Sequence, residues 1–240
     1  MGLKTRRLIP ERVDDPGADP RVLEASLAQV STVNRWLGGD RGLRRALGSL
    51  VRSQSELRVL DVGSGDGTSL ARLANWAAGS GCAIRGLALD LHSVACRLAE
   101  ENLRGLPGIH VVQGDALRLP FSSGQFDVAV ATLTLHHFGD EGASRVLREL
   151  GRIAGSLVVV SDLQRSWGAY LGARLLAATV WRQNPYTRHD GPVSVQRGFP
   201  ALELATLGEE AGLVDAKVMT QFPFRHTLVA RPGEDGHVHP

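Results

Sequence analysis

From position 57 onward, short apolar runs alternate with segments of helical spacing, and this alternation restricts the possible folds more than any other feature. It is typical of β-α-β units, which form parallel sheets covered by helices on both faces. The runs predicted to be strands are 57–61, 83–89, 109–113, 126–131, 157–161, 214–219 and 227–230. The sequence therefore predicts an α/β protein with a doubly wound, parallel sheet.

The segments around these runs divide the chain into parts. Asp19 and Pro20 predict the start of an N-terminal helix, with an N-cap and a first-turn proline, and we expect its Trp36 to lie in the core. The stretch 164–199 lacks a strand pattern, and because so long a structureless loop is improbable, we expect a helical insertion. The predicted divisions are an N-terminal arm with helices (1–56), a main domain (57–230) and a frayed tail (231–240).

Composition narrows the class of protein. A net charge of +2 gives no electrostatic reason to expect a nucleic acid partner. Two cysteines exclude a disulfide scaffold and a four-cysteine zinc site, and they fit a reducing cytoplasm. The sequence contains no run long enough for a membrane span and no apolar signal core. We therefore expect a cytoplasmic protein, with its oligomeric state left open, a homodimer included.

A glycine-rich turn follows the first predicted strand. Gly63, Gly65 and Gly67 allow a ligand to approach the backbone and to meet the amides at a helix N-terminus. A dinucleotide fingerprint would require a glycine at position 68, where Thr68 stands. The spacing, preceded by Asp61, favours adenosine with an amino-acid tail over a pyrophosphate. A tight structural turn is the alternative.

Two further acids follow strands. Asp90 ends the second predicted strand, about 20 residues after the turn, where an acid that binds ribose hydroxyls is expected. Asp115 follows the third strand and could accept the exocyclic amine of adenine, while the amide of Ala116 could meet a ring nitrogen. Each acid could also be a helix cap, which is the more common role of an Asp after a strand.

In this order, and at strand ends, these elements resemble the class I S-adenosylmethionine-dependent methyltransferases over residues 57–230. The resemblance implies a Rossmann-like, mostly parallel seven-stranded sheet with an antiparallel last strand. It implies S-adenosylmethionine as cofactor and S-adenosylhomocysteine as product. The cofactor-binding residues that it implies are Asp61, Gly63, Ser64, Gly65, Gly67, Asp90, Leu91, Asp115, Ala116 and Thr132.

The segments 126–130 and 133–138 are similar to the small-molecule branch of that family, of the ubiquinone and menaquinone type. The Asn-Pro-Pro-Tyr signature of enzymes that methylate nucleic-acid amino groups is absent at the fourth strand. Segments in the arm and in the stretch 162–197 resemble methyltransferases of bacterial polyketide pathways. We therefore expect a small, flat acceptor, phenolic or polyketide-like, and no nucleic acid.

Methylation of a hydroxyl group requires a base that titrates near neutrality, which points to histidine. His136 and His137 follow the fourth strand, at the sheet edge where ligands bind, and His189 lies in the insertion. Because adjacent helical residues cannot both face a ligand, we expect only one of the two to act, and we favour His136. The alternative is that both are purely structural. Asp190, beside His189, is a weak candidate for orienting it.

The insertion and the N-terminal helices are expected to form a lid that excludes water. Within the insertion, the candidate substrate-binding residues are Trp167, Arg188 and Arg197, for which helical packing or solvent exposure is the alternative. No cluster of acids predicts a metal site. The function predicted is O-methylation; the alternatives are C-methylation of a quinol-like ring, a non-catalytic cofactor-binding protein and, less consistent with Thr68, a nicotinamide dehydrogenase.

Overall fold

A computed structural model describes residues 3–15 and 17–233. The described chain forms a single seven-stranded sheet of order β3-β2-β1-β4-β5-β7-β6. The strands are β1 (Glu56–Val62), β2 (Ala83–Asp90), β3 (Ile109–Gln113), β4 (Phe126–Thr132), β5 (Ala154–Leu163), β6 (Val214–Gln221) and β7 (Arg225–Arg231). Strands β1 to β5 pair in parallel, whereas β7 runs antiparallel to β5 and β6. The predicted fold class is confirmed.

Eight helices cover the described sheet. They are α1 (Pro20–Trp36), α2 (Arg41–Ser53), α3 (Thr68–Ala78), α4 (Ser93–Leu103), α5 (Asp140–Ile153), α6 (Trp167–Ala178), α7 (Pro185–Arg197) and α8 (Ala201–Glu210). The N-terminal helices and the helical insertion are therefore present, the latter as α6 and α7. Two short 3-10 turns lie at Arg12–Asp14 and Leu135–His137. None of the helices described is both long and apolar enough to cross a bilayer.

Two large apolar clusters pack against the sheet, one on each face, and a third, small one joins α6 to α7. One cluster joins the strands to α5 and α8, and the other joins them to α2, α3 and α4. Neighbouring residues in a central strand therefore enter different clusters: Val59 and Leu60 are both fully buried, on opposite faces. This burial on both faces explains the continuous apolar runs of the sequence.

The N-terminal helix crosses the carboxyl edge of the strands. Asp19 caps it by accepting the amides of Arg21 and Val22, as its position in the sequence predicts. The expectation that Trp36 lies in the core is wrong: it is the last residue of α1, and 68% of it is exposed. The predicted frayed tail begins at Arg231, which instead ends β7, and its residues 234–240 lie outside the described part of the chain.

Candidate active site

A cavity of about 770 Å³ lies at the carboxyl edge of the parallel strands. Its walls come from the loops after β1, β2, β3 and β4, from the beginning of β7, and from helices α1, α6 and α7. This edge is where open α/β sheets bind their ligands, because the loops that leave adjacent strands diverge there. The cavity is therefore the candidate active site.

The glycine turn forms its floor. Gly63, Gly65 and Gly67 all have positive φ, at 66°, 56° and 72°, which favours glycine. A Cβ on Gly63 would lie 2.3 Å from Cγ2 of Thr134, so this glycine also allows the turn after β4 to approach closely. Gly63 and Gly65 line the cavity, whereas Gly67 faces the packed surface of α4.

At the ends of β1 and β4, three of the buried polar atoms in the cavity wall have no hydrogen-bond partner among the described residues. They are Oδ1 of Asp61, Oγ of Ser64 and Oγ1 of Thr132. Burial, and then the nearby Asp90, raise the pKa of Asp61 to about 7. Since buried polar groups normally find partners, this set fits a polar ligand that carries a positive charge beside Asp61.

Asp90 is held by two backbone amides. Its Oδ2 accepts the amide of Gly65 at 2.9 Å, and its Oδ1 accepts the amide of His92 at 3.0 Å. Burial raises its pKa above the usual range. Both oxygens keep lone pairs for further donors such as a pair of hydroxyls.

The adenine-side candidates lie next to Asp90. Leu91, Asp115 and Ala116 all line the cavity. One carboxyl oxygen of Asp115 accepts the amide of Leu117 at 2.8 Å, which leaves the other oxygen open. Every residue of the predicted cofactor set therefore lines the cavity except Gly67, which shapes the turn from behind.

His136 and Asp162 form a buried pair beside this set. Nδ1 of His136 lies 2.6 Å from Oδ1 of Asp162, and the amide of His136 donates to Oδ2 at 3.0 Å. Burial alone would raise the pKa of Asp162, but the nearby His136 outweighs it and the pKa is lowered. Nε2 of His136 points toward Glu11, 3.8 Å away, on the cavity side.

His137 also lines the cavity, because a 3-10 turn rather than an α-helix carries the two histidines. The expectation that only one could face a ligand is therefore wrong. Nδ1 of His137 lies 2.8 Å from Oδ1 of Asp14. Burial lowers its pKa, but Glu11 and Asp14 outweigh burial and raise it to about 9. His137 is therefore protonated at neutral pH.

Four candidates from the insertion do not line the cavity: His189, Trp167, Arg188 and Arg197. His189 instead pairs with the adjacent Asp190 at 2.6 Å, although neighbouring residues seldom pair. Trp167 is 55% exposed and meets Tyr170 edge to face. Arg188 is exposed. These four side chains therefore lie outside the wall of the described cavity.

Arg197 shows why a buried arginine need not be a ligand. Its guanidinium donates to the carbonyl oxygens of His136 and Ile9, at 2.8 and 2.6 Å, and also to that of His137. It also lies 3.4 Å from Glu11. With its donors used in this way, Arg197 holds the N-terminal arm and the histidine turn together.

Sequence reasoning missed Glu11 and Arg225. Glu11 lies in the arm and is 4% exposed; its Oε2 accepts the hydroxyl of Ser194 at 2.7 Å. Arg225, at the start of β7, is 5% exposed and lines the cavity, and its Nη1 has no partner among the described residues. Neither residue belongs to a motif, so no local signal singles them out.

Among the residues that the structure describes, one group of side chains could hold a metal ion. Glu11, His136 and His137 offer three ligand atoms within 4.8 Å of one another. The guanidinium of Arg197 lies 3.4 Å from Glu11, and its positive charge disfavours a cation at this position.

Comparison with known proteins gives consistent matches. A family model described as a methyltransferase domain matches residues 59–155. A demethylmenaquinone methyltransferase of Roseiflexus castenholzii is 31% identical over 190 residues, which cover 75% of this chain and 77% of the relative. A demethylmenaquinone methyltransferase of Mycolicibacterium vanbaalenii is 33% identical over 198 residues, which cover 81% of this chain and 74% of the relative.

A solved structure gives the same fold. The SAM dependent methyltransferase from Aquifex aeolicus superposes with a TM-score of 0.56 at 18% identity. The match covers 78% of this chain and 91% of that one. It supports the fold, while the two relatives are similar to this chain along most of their length.

Proposed function

The chain belongs to the class I S-adenosylmethionine-dependent methyltransferases, and from this premise we propose that it methylates a hydroxyl group of a small aromatic acceptor. Membership makes it an enzyme that uses S-adenosylmethionine and acts on a small molecule. The identity of the acceptor, phenolic or polyketide-like, and methylation at oxygen are the proposal. The net charge of +2 supports a small acceptor over a nucleic acid.

The residues fit the cofactor in charge and in shape. We propose that the unpartnered carboxyl oxygen of Asp61 binds the methionine ammonium and that Asp90 accepts the ribose hydroxyls. Ser64 and Thr132 supply further polar atoms, Leu91 and Ala116 flank the adenine, and Asp115 accepts its amine. When bound, S-adenosylmethionine supplies a sulfonium methyl group, which is the electrophile of the reaction.

The chain must then supply a base for the proton of the acceptor hydroxyl. His136 is our choice, and the observation that carries it is its 2.6 Å contact with Asp162 inside the cavity wall. An ionised Asp162 keeps a proton on Nδ1, so that Nε2 is free to accept one. As Nε2 accepts the hydroxyl proton, Asp162 stabilises the imidazolium that forms.

The other two histidines are less suited to this role. His137 is already protonated near neutrality, since its pKa is about 9, and it cannot accept a proton. His189 lies outside the cavity wall. We therefore propose His136 as the single base.

We further propose that α1 and the insertion 164–199 act as the lid over this site. The two are joined by polar contacts: the hydroxyl of Thr187 donates to Ser26 at 2.8 Å, and the side-chain amide of Asn184 donates to the carbonyl of Val22 at 3.2 Å. Opening would break these contacts together, and closure would exclude water from the methyl group.

C-methylation of a quinol-like ring is the second candidate. The two relatives are named demethylmenaquinone methyltransferases, and a ring carbon becomes nucleophilic when a neighbouring hydroxyl loses its proton. The same base at His136 would therefore serve either outcome. The two reactions differ only in the atom that receives the methyl group.

Incubation with S-adenosylmethionine labelled with ¹³C at the methyl group tests the proposal. A panel of monohydric phenols, resorcinols and reduced quinones would be offered, and the products analysed by NMR. We expect a labelled methyl group attached to oxygen. A methyl group on a ring carbon would select the second candidate, and calorimetric binding of the cofactor with no turnover on any acceptor would contradict the proposed acceptor class.

A further inference from the structure

The outer face of α6 is apolar and open. Trp167, Leu171 and Leu175 are spaced four residues apart, so they form one stripe, and they are 55%, 63% and 65% exposed. The opposite side of the helix is buried through its alanines, Ala169, Ala173 and Ala177. Single exposed apolar residues are ordinary, but a stripe of three large ones is not.

Two further exposed aromatic residues stand next to residues that line the cavity. Phe222 is 82% exposed, and its ring lies 6.3 Å from that of Phe224, which packs against Gly168 of α6. Trp36 ends α1, next to Leu37, which lines the cavity as Phe224 does. We call this set the mouth patch, and its members are Trp36, Trp167, Leu171, Leu175 and Phe222.

Positive charge accompanies the patch. The segment 163–189 contains four arginines and no aspartate or glutamate. Arg165 is buried and paired with Glu203 at 2.5 Å, but Arg174, Arg182 and Arg188 are exposed and form no ion pair with the described residues. Because the whole chain carries only +2, this excess is local to the insertion.

Large apolar side chains beside unpaired arginines are typical of helices that lie in a membrane interface. We propose that the mouth patch docks on an anionic lipid surface. The apolar side chains would enter the interface and the arginines would meet lipid headgroups, each contributing to binding. Docking would open the cavity mouth toward the lipid, from which an apolar acceptor could enter directly; only this last point rests on the proposed function.

Sedimentation with lipid vesicles tests the docking with the whole protein. The probes are vesicles of phosphatidylcholine alone and of phosphatidylcholine with phosphatidylglycerol. We expect binding to the anionic vesicles, weakened by salt because the charges at the surface are screened. Leu171→Glu should weaken binding about tenfold or more, and Arg174→Glu about fivefold or more, as expected for losing one side chain of each kind.

Leu202→Glu is the matched control. Leu202 is 79% exposed on α8, outside the patch, so its replacement adds the same charge at another exposed leucine and should leave vesicle binding close to that of the parent. Thermal melting and calorimetric cofactor binding confirm that each variant is folded. Neither Leu171 nor Arg174 lines the cavity, so both variants should bind the cofactor with the affinity of the parent.

Three outcomes would overturn the docking. The first is absence of binding to anionic vesicles, and the second is equal binding by Leu171→Glu and the parent. The third is a dimer in light scattering that Leu171→Glu dissociates, without vesicle binding, which would assign the patch to a second copy. Since vesicle binding requires no turnover, failure of the proposed reaction leaves this test intact.

Discussion

His136 contacts Asp162 twice, once through its ring and once through its backbone. Nδ1 lies 2.6 Å from one carboxyl oxygen, and the amide donates to the other at 3.0 Å. The ring and the main chain are thus fixed to the same group at the end of β5. This arrangement sets both the tautomer of the imidazole and the direction of Nε2.

We expect His136→Gln to lower kcat by about 10²- to 10⁴-fold, the usual contribution of a general base. Cofactor affinity, measured by calorimetry, should stay close to that of the parent. Asp162→Asn should lower kcat as well, because an amide neither holds the Nδ1 proton in place nor stabilises an imidazolium. His189→Gln is the control and should leave kcat unchanged. If His136→Gln kept a kcat close to that of the parent, the base would be a different residue.

Asp61 should make cofactor binding depend on pH. Its pKa is raised to about 7, first by burial and then by Asp90, so the empty site binds a proton more readily than a free carboxyl does. An ammonium group favours the ionised form, and affinity should therefore rise as the pH rises toward and through about 7. Calorimetry in buffers of different ionisation enthalpy should detect the released proton.

Asp61→Asn provides the control for this dependence. Its cofactor affinity should be lower and nearly independent of pH over the same range. Because the pKa of Asp61 is higher in the folded than in the unfolded protein, its ionisation destabilises the fold as the pH rises above the unfolded pKa. Without cofactor, the variant should therefore have a higher melting temperature than the parent at pH 8. Methylthioadenosine, which lacks the amino-acid tail, should bind parent and variant alike.

Asp90→Asn should weaken S-adenosylmethionine binding by about 10- to 100-fold. The amide nitrogen would replace one charged acceptor and would face the amides that Asp90 now accepts, from Gly65 and His92. Methylthioadenosine retains the ribose, so the variant should bind it more weakly by the same factor. This result would distinguish Asp90 from Asp61, because replacement of Asp61 should leave the affinity for methylthioadenosine unchanged.

The sequence predicted the parts of this site that depend on local order. The glycine turn between β1 and α3 and the acid at the end of β2 follow from a strand, a turn and a helix in succession, so their positions were predictable. Glu11 reaches the histidine turn across more than a hundred positions, and only the packing of the arm brings it there. The contacts of Arg197 were not predictable, because its partners are main-chain carbonyls, which leave no trace in a side-chain pattern.

His137 should stabilise the fold at low pH. Glu11 and Asp14 raise its pKa to about 9 against the opposing effect of burial, compared with 6.5 in a free side chain. Because the pKa of His137 is higher in the folded than in the unfolded protein, its protonation stabilises the fold. The stabilisation is complete below about pH 6.5 and is lost as the pH rises through about 9. Its size should be about 1–3 kcal/mol.

The measurement is the free energy of unfolding of the parent and of His137→Gln, in denaturant at pH 6 and at pH 9.5. The gap between the two proteins should be wide at pH 6 and narrow at pH 9.5. Asp14→Asn should narrow it at pH 6, since Asp14 is one of the two acids that raise the pKa of His137. A gap independent of pH would show that the contact with Asp14 is not charged.

We expect the buried guanidinium of Arg225 to bind an anionic group of a ligand in the cavity. Its guanidinium is buried, donates through Nη2 to Asn34 at 2.7 Å and has no partner for Nη1 among the described residues. Burial lowers its pKa to about 10, which marks the cost of a charge without a paired acid. A ligand carboxylate or phenolate in the cavity would supply the missing acceptor.

Arg225→Met should therefore weaken binding of the anionic ligand by about 10- to 100-fold, the usual cost of losing a charged hydrogen bond. The melting temperature without ligand should fall little, because removal of the buried charge offsets the loss of the bond to Asn34. Weaker binding of S-adenosylmethionine, with unchanged binding of methylthioadenosine, would identify the anion as the cofactor carboxylate. A raised KM for the acceptor alone would identify it as the acceptor oxygen, whereas a large loss of stability with both affinities unchanged would make Arg225 purely structural.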